Sequence, residues 1–274
     1  MLRESLKGVL SDNELKMTVS AFDQIGNIII IRIPDKLAQK RSIIGEALLK
    51  QVKPAVSVYA QSSDVRGDYR TRDLELLAGR DSTITEYKES GCRFTVDVQN
   101  AFVTPRLSRE RERIADLVQD GETLLNMFAG VGMFSIIAAM RKRCIAYSVD
   151  INPVAHAMCK KSVSMNKLAG QVIPICSDAA KAASALRDAS DRTLMLLPER
   201  TDEFLDDAVR ATKDGGVIHY YAHVHADRKQ DACRITEERY MNATPVRSEI
   251  LGSKIVRIVG PRYYQTVVDA RIRK

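Results

Sequence analysis

No apolar run in this sequence approaches the ~20 residues that a bilayer-crossing helix needs. Its opening residues, MLRESLKGVL, lack the hydrophobic stretch of a secretion signal. Both absences argue against a membrane partner and point to the cytoplasm. Paired cysteines are missing as well. The thiols at 92, 144, 159, 176 and 233 are odd in number, far apart and never in a C-x-x-C pair. A zinc site and a disulfide frame are therefore not expected, and buried free thiols are. Histidine is scarce: His223 and His225 stand two apart near a strand end, but no third ligand lies close in sequence, so no metal is expected.

What is present is ordinary in amount and specific in arrangement. The 274 residues, 45% hydrophobic and 28% charged, suffice for one large or two modest globular domains. A net charge of +7 suggests a polyanionic partner, with RNA rather than DNA the leading candidate. Two rhythms divide the chain. Up to about residue 100 the pattern is mixed: a strand in NIIIIRIP (27–34), a helix over 36–52, then short strands separated by turn signals such as Ser90–Gly91. Residues 23–100 thus read as a small α+β domain behind an extension, 1–22. The run RGDYRTR (66–72) makes it locally basic, with Tyr69 interleaved.

From about residue 101 the chain becomes a second domain, 101–274, that alternates strand and helix. The strands TLLNMF, CIAYSVD, VIPIC, TLMLLP and GVIHYYA are nearly continuous in apolar residues and are separated by helical stretches. That pattern implies a parallel sheet covered on both faces. SEILG and YQTVVDARI follow with no helix between them and read as an antiparallel pair. The expected fold class is α/β, a doubly wound, mostly parallel Rossmann-like sheet finished by an antiparallel hairpin.

Such sheets bind ligands beyond the carboxyl ends of their strands. The first strand of this half runs into LNMFAGVGMFS, with Gly130 and Gly132 in the turn; the second ends at Asp150; the third at Ser177–Asp178; the fourth at Leu197–Pro198. Asp150 is placed to accept from ribose hydroxyls, and Asp178 from an adenine amino group. No Gly-Lys-Ser/Thr follows the turn, which excludes a P-loop, and Ser135 occupies the third glycine position of a dinucleotide fingerprint. Acids at two further strand ends favour an adenosine held without pyrophosphate, as in S-adenosylmethionine. Each acid also precedes a helical run and suits a helix cap.

The segment PRLSRERERIADLVQDGETLLNMFAGVGMFSI, followed by VDINP, Ser177–Asp178, GGVIHYY and GPRYYQTVVDARI, resembles the archaeal and eukaryotic tRNA (guanine-37-N1)-methyltransferases over roughly residues 65 to 272. The resemblance implies a class I S-adenosylmethionine-dependent methyltransferase domain behind a small RNA-contacting domain, acting as a monomer on the anticodon stem-loop of tRNA. It implies Glu110 as the base for guanine N1, with Arg106 near the cofactor or base and Arg70 on the target guanosine. Cofactor contacts would come from Phe128, Gly130, Gly132, Asp150, Asn152, Asp178, Leu197 and Pro198. Taken without the resemblance, Glu110 reads as an exposed glutamate in a charged first helical turn.

Two positions depart from the family pattern. Asn126 stands where the family has Asp, and Leu196 stands where it has the asparagine that steadies the target base. The family's further N-terminal domain, which inspects the tRNA body, is expected to be absent. A sister activity, aminocarboxypropyl transfer from the same cofactor to a wyosine precursor at the same nucleotide, is the alternative reading. Methylation of that precursor, a non-catalytic RNA-binding relative and a small-molecule methyltransferase are further ones.

Overall fold

The computed structural model describes residues 4, 6–17, 22–63 and 66–274. The chain divides into two compact units, 1–105 and 106–274. Among the described residues no helix is long and apolar enough to cross a membrane.

The first unit is organised by a run of four isoleucines. Strand β2 (Ile28–Ile31) is buried at every position, because it has a neighbour on each side. It pairs antiparallel with β1 (Asp23–Ile25) and parallel with β3 (Ser57–Gln61). The parallel step requires a crossover, supplied by the helix Arg41–Gln51, which buries Ile44, Gly45 and Leu48. β4 (Leu74–Gly79) closes the sheet antiparallel to β3. A separate hairpin joins β5 (Ile84–Glu89) to β6 (Cys92–Asp97). Its two-residue turn, Ser90–Gly91, has positive φ at both positions, 49° and 78°, the conformation that matches strand twist in tight hairpins.

In the N-terminal extension, Leu6 and Leu10 are buried in one apolar cluster with Ile29, Ile31, Leu37 and Leu48. A tight turn brings the two leucines together, with the Val9 and Leu10 N–H groups both donating to the Leu6 carbonyl at 3.1 Å. Residues 1–3, 5 and 18–21 of that stretch lie outside the described residues.

The second unit is a seven-stranded sheet. Its strands are β7 (Thr123–Asn126), β8 (Ile145–Asp150), β9 (Gln171–Cys176), β10 (Ser190–Met195), β11 (Thr212–His225), β12 (Arg247–Gly260) and β13 (Tyr263–Arg273), in the order β12-β13-β11-β10-β7-β8-β9. β7 through β11 are mutually parallel neighbours, and β13 runs antiparallel between β11 and β12. The chain moves outward from β7 to β9, then returns to place β10 on the other side of β7. That reversal opens a crevice at the carboxyl ends of β7 and β10. Leu125, Met127, Val149, Met195, Ile218 and Tyr220 form part of the apolar core beneath it.

The closing hairpin is longer than its apolar pattern suggests. β12 spans 14 residues, well past the expected SEILG, because three register shifts absorb Leu251, Val256 and Val259 without ending the ladder.

Candidate active site

The glycine turn is tied to the acid at the next strand end by a hydrogen bond that the Gly130 N–H donates. At the end of β8, the Asp150 carboxylate accepts from the Gly130 N–H at 2.6 Å and from the Asn152 N–H at 2.9 Å. One oxygen serves each, so both keep acceptor capacity toward the crevice. Burial pushes the Asp150 carboxyl up, and these two N–H groups act against that push. Asn152 in turn caps the helix Pro153–Ser164, accepting from the Val154 and Ala155 amides. Gly132 begins the helix Met133–Arg141 in the left-handed region, at φ 82°. A Cβ there would lie 2.4 Å from Cys159 Sγ. Gly132→Ala is therefore expected to cost about 2–4 kcal/mol, adding left-handed strain to overpacking. Urea unfolding measures it.

Asn126 is fully buried. Its amide lies 3.4 Å from Ser135 Oγ, and its Oδ1 accepts from the Phe128 N–H at 3.4 Å. The residue that the resemblance marks as a lost charge thus has neutral partners inside the turn. Phe128 meets Phe204 edge-on, with ring centroids 5.0 Å apart. At the end of β9, Asp178 Oδ1 caps the helix Ala179–Ala185 through the Lys181 N–H at 3.1 Å. The cap uses one carboxylate oxygen, Oδ1, and leaves the second outside it. Beyond β10, Leu196 and Leu197 are half-buried and Pro198 is buried. Its carbonyl accepts from the His223 N–H at 3.4 Å, which ties this loop to β11.

Glu110 is where elementary sequence physics fails. Its helix, Ser108–Leu117, buries Glu110, Arg111, Ile114 and Ala115 on one face, so the glutamate is only 3% exposed. Tyr221 donates its hydroxyl to Oε1 at 2.7 Å. Arg113 reaches the carboxylate through Nη2 at 2.7 Å and Nε at 3.0–3.1 Å. Lys254 Nζ stands 3.4 Å from Oε2. A buried carboxylate is tolerable only with such partners. Tyr221 sits one residue beyond Tyr220, which is level with Met195, so Glu110 is anchored where β10 gives way to Leu196.

The remaining expected residues fall in two places. Arg106 is exposed in the 3-10 turn Pro105–Leu107, just before the Glu110 helix. Arg70 belongs to the first unit, at φ 53°, with its guanidinium 4.9 Å over the Phe102 ring. His223 and His225 both lie against Tyr263, at centroid distances of 5.2 and 4.4 Å. The thiols divide: Cys92, Cys144 and Cys159 are buried, while Cys176 is exposed and Cys233 half-exposed.

Sequence reasoning missed Tyr221, Arg113, Lys254, Asp269 and His219. One signal was visible, a lone acid in the strand YQTVVDARI, set beside the apolar run Val267–Val268. Arg113 bonds that residue, Asp269, across 156 positions of chain, a pairing that no local pattern encodes.

A parallel sheet with a switch-point crevice, a glycine turn without a P-loop lysine and acids at successive strand ends defines a Rossmann-like class I methyltransferase domain. A family profile described as the TRM5/TYW2 methyltransferase domain matches residues 85–248, and one described as the TYW2 N-terminal domain matches residues 2–83. The chain belongs to the TRM5/TYW2 methyltransferase family. It is 36% identical over 261 residues to the tRNA (guanine(37)-N(1))-methyltransferase Trm5b of Pyrococcus abyssi, covering 92% of this chain and 75% of that protein. It is also 36% identical over 249 residues to the tRNA 4-demethylwyosine(37)-methyltransferase Taw21 of Saccharolobus solfataricus, covering 90% and 92%. Among solved structures, the complex of aTrm5 with tRNALeu matches with a TM-score of 0.85 at 33% identity, over 99% of this chain and 78% of that one.

Proposed function

We propose that this protein transfers the methyl group of S-adenosylmethionine to N1 of guanosine 37 in tRNA, next to the anticodon. One observation carries the reading: a buried glutamate, Glu110, is fixed by Tyr221 beside the crevice whose other rim is the Asp150-bonded glycine turn. The similarity to Trm5b of P. abyssi, a protein named for this reaction, supports it.

The crevice suits the cofactor on chemical grounds. The Gly130 N–H is already donated to the Asp150 carboxylate and no lysine follows the turn, so the turn offers no P-loop cradle for a phosphate. Asp150 would accept from ribose hydroxyls, Asp178 from the adenine amino group, and Phe128, Leu197 and Pro198 would line the apolar wall. Bound there, the cofactor supplies an electrophilic methyl on a sulfonium. Guanine N1 carries a proton at neutral pH and is a weak nucleophile. Glu110 would take that proton, and the Arg113 and Lys254 cations beside it would steady the changing charge. Arg106 and Arg70 would position the target nucleotide. The partner would be the anticodon stem-loop, met by a monomer.

The test is label transfer. An unmodified tRNA transcript with guanosine at position 37 is incubated with cofactor labelled in the methyl or in the carboxyl carbon. Methyl label alone in RNA is expected; carboxyl label in RNA would show aminocarboxypropyl transfer instead.

Leu196 favours a second reading. Half-buried, and with no side-chain donor for guanine, it offers an apolar surface suited to a tricyclic wyosine-type base. The relative from S. solfataricus is named for methylating such a base. Under the first reading, Leu196→Asn should raise turnover on the guanosine-37 transcript about 2–10-fold, the worth of one hydrogen bond. Unchanged or lower turnover there, with strong methyl transfer to tRNA bearing 4-demethylwyosine, would favour the second.

A further inference from the structure

The Glu110 carboxylate is the end of a longer chain of buried polar contacts. Arg113 bridges two acids: while Nη2 and Nε hold Glu110, Nη1 and Nη2 bond Asp269, the latter at 3.2 Å. Asp269 Oδ1 faces His219 Nδ1 at 2.6 Å. The other ring nitrogen of His219, Nε2, lies 2.8 Å from Arg192 Nη1. An arginine has no lone pair to offer, so Nε2 must accept and the ring proton must sit on Nδ1, donated to Asp269. His219 is fully buried, and burial lowers its basicity, which keeps the ring neutral in that tautomer. Burial alone would raise the Asp269 carboxyl; hydrogen bonds from His219 and Arg113 outweigh it and hold it well below the usual range.

The chain then returns to its origin. Arg192 bonds Glu122 at 3.1 and 3.2 Å, and its Nη2 donates to the Leu117 carbonyl at 3.1 Å. Leu117 is the last residue of the helix that carries Glu110 and Arg113. Contacts from β10, β11 and β13 therefore grip this helix at both ends. A sheet that needed only to hold a helix would do so with apolar packing, which is cheaper than buried charge. What the polar chain adds is direction: it fixes the Arg113 guanidinium plane, and through it the Glu110 carboxylate.

We propose that Asp269 and His219 are positioning residues that orient Glu110 for proton abstraction through Arg113. The inference rests on Glu110 as the proton acceptor. Its test is a double-mutant cycle on the single-turnover methylation rate, at saturating cofactor and tRNA, with cofactor affinity measured in parallel. Asp269→Asn should slow the reaction about 10-fold or more in the otherwise native protein, within the range of coupling between groups of one network. In a Glu110→Gln background the same substitution should change the rate less than about 2-fold, since nothing remains to orient. Equal slowing in both backgrounds would show a merely structural role and overturn this inference alone. A native rate for Glu110→Gln by itself would overturn the base assignment and this inference with it. Should Asp269→Asn not fold, His219 reads the same coupling. His219→Asn keeps a donor for Asp269 and should retain clearly more rate than His219→Leu; equal loss would overturn the proposal.

Discussion

Glu110→Gln should slow single-turnover methyl transfer about 100-fold or more, the usual worth of a positioned general base, while leaving the cofactor dissociation constant within about 2-fold. Glutamine has the same shape, and its carbonyl oxygen can still accept from the Tyr221 hydroxyl, now 2.7 Å from Oε1. Arg113 keeps Asp269 as an anionic partner. The fold therefore survives the change, and what disappears is the capacity to take a proton. Loss of cofactor affinity in step with the rate would mean that Glu110 supports the crevice rather than the chemistry.

The opposite split is expected at Asp150. Asp150→Ala should weaken cofactor binding about 100-fold, since a hydrogen bond to a charged group is worth about 1.5–3 kcal/mol. Two orphaned amides add to the loss, because Gly130 and Asn152 both donate to this carboxylate. Asp150→Asn keeps one acceptor oxygen and should fall between the two. Calorimetric titration of the cofactor, or of its demethylated product, measures the series. The methylation rate at saturating cofactor should change far less than the affinity. A rate collapse at full occupancy would instead place Asp150 in the transfer step.

These two residues also show what a sequence can and cannot reveal. Asp150 is legible because it ends a continuous apolar strand, and the topology of parallel sheets makes strand ends into sites. The same logic yields the glycine turn and the run of parallel strands, though not their spatial order. Glu110 is not legible. In SRERERI a charged helix turn looks solvated, and only the helix Met133–Arg141 packed against it, with Tyr221, Lys254 and Asp269 reaching over from β11, β12 and β13, turns that face inward. The relay behind it is harder still, since Asp269 and His219 reach Glu110 only through Arg113. The long β12 escaped for a different reason. Its bulges break the alternation by which a strand is recognised. The docked Leu6 and Leu10 escaped because a short segment has too few turns to show a period.

Nucleoside analysis of a tRNA transcript after reaction with S-adenosylmethionine is the most direct measurement. A single 1-methylguanosine is expected, at position 37 and lost when that guanosine is replaced. A transcript that stays unmethylated, while tRNA bearing a wyosine precursor at position 37 gains a methyl or an aminocarboxypropyl group, would contradict the assignment of guanine N1 as the target.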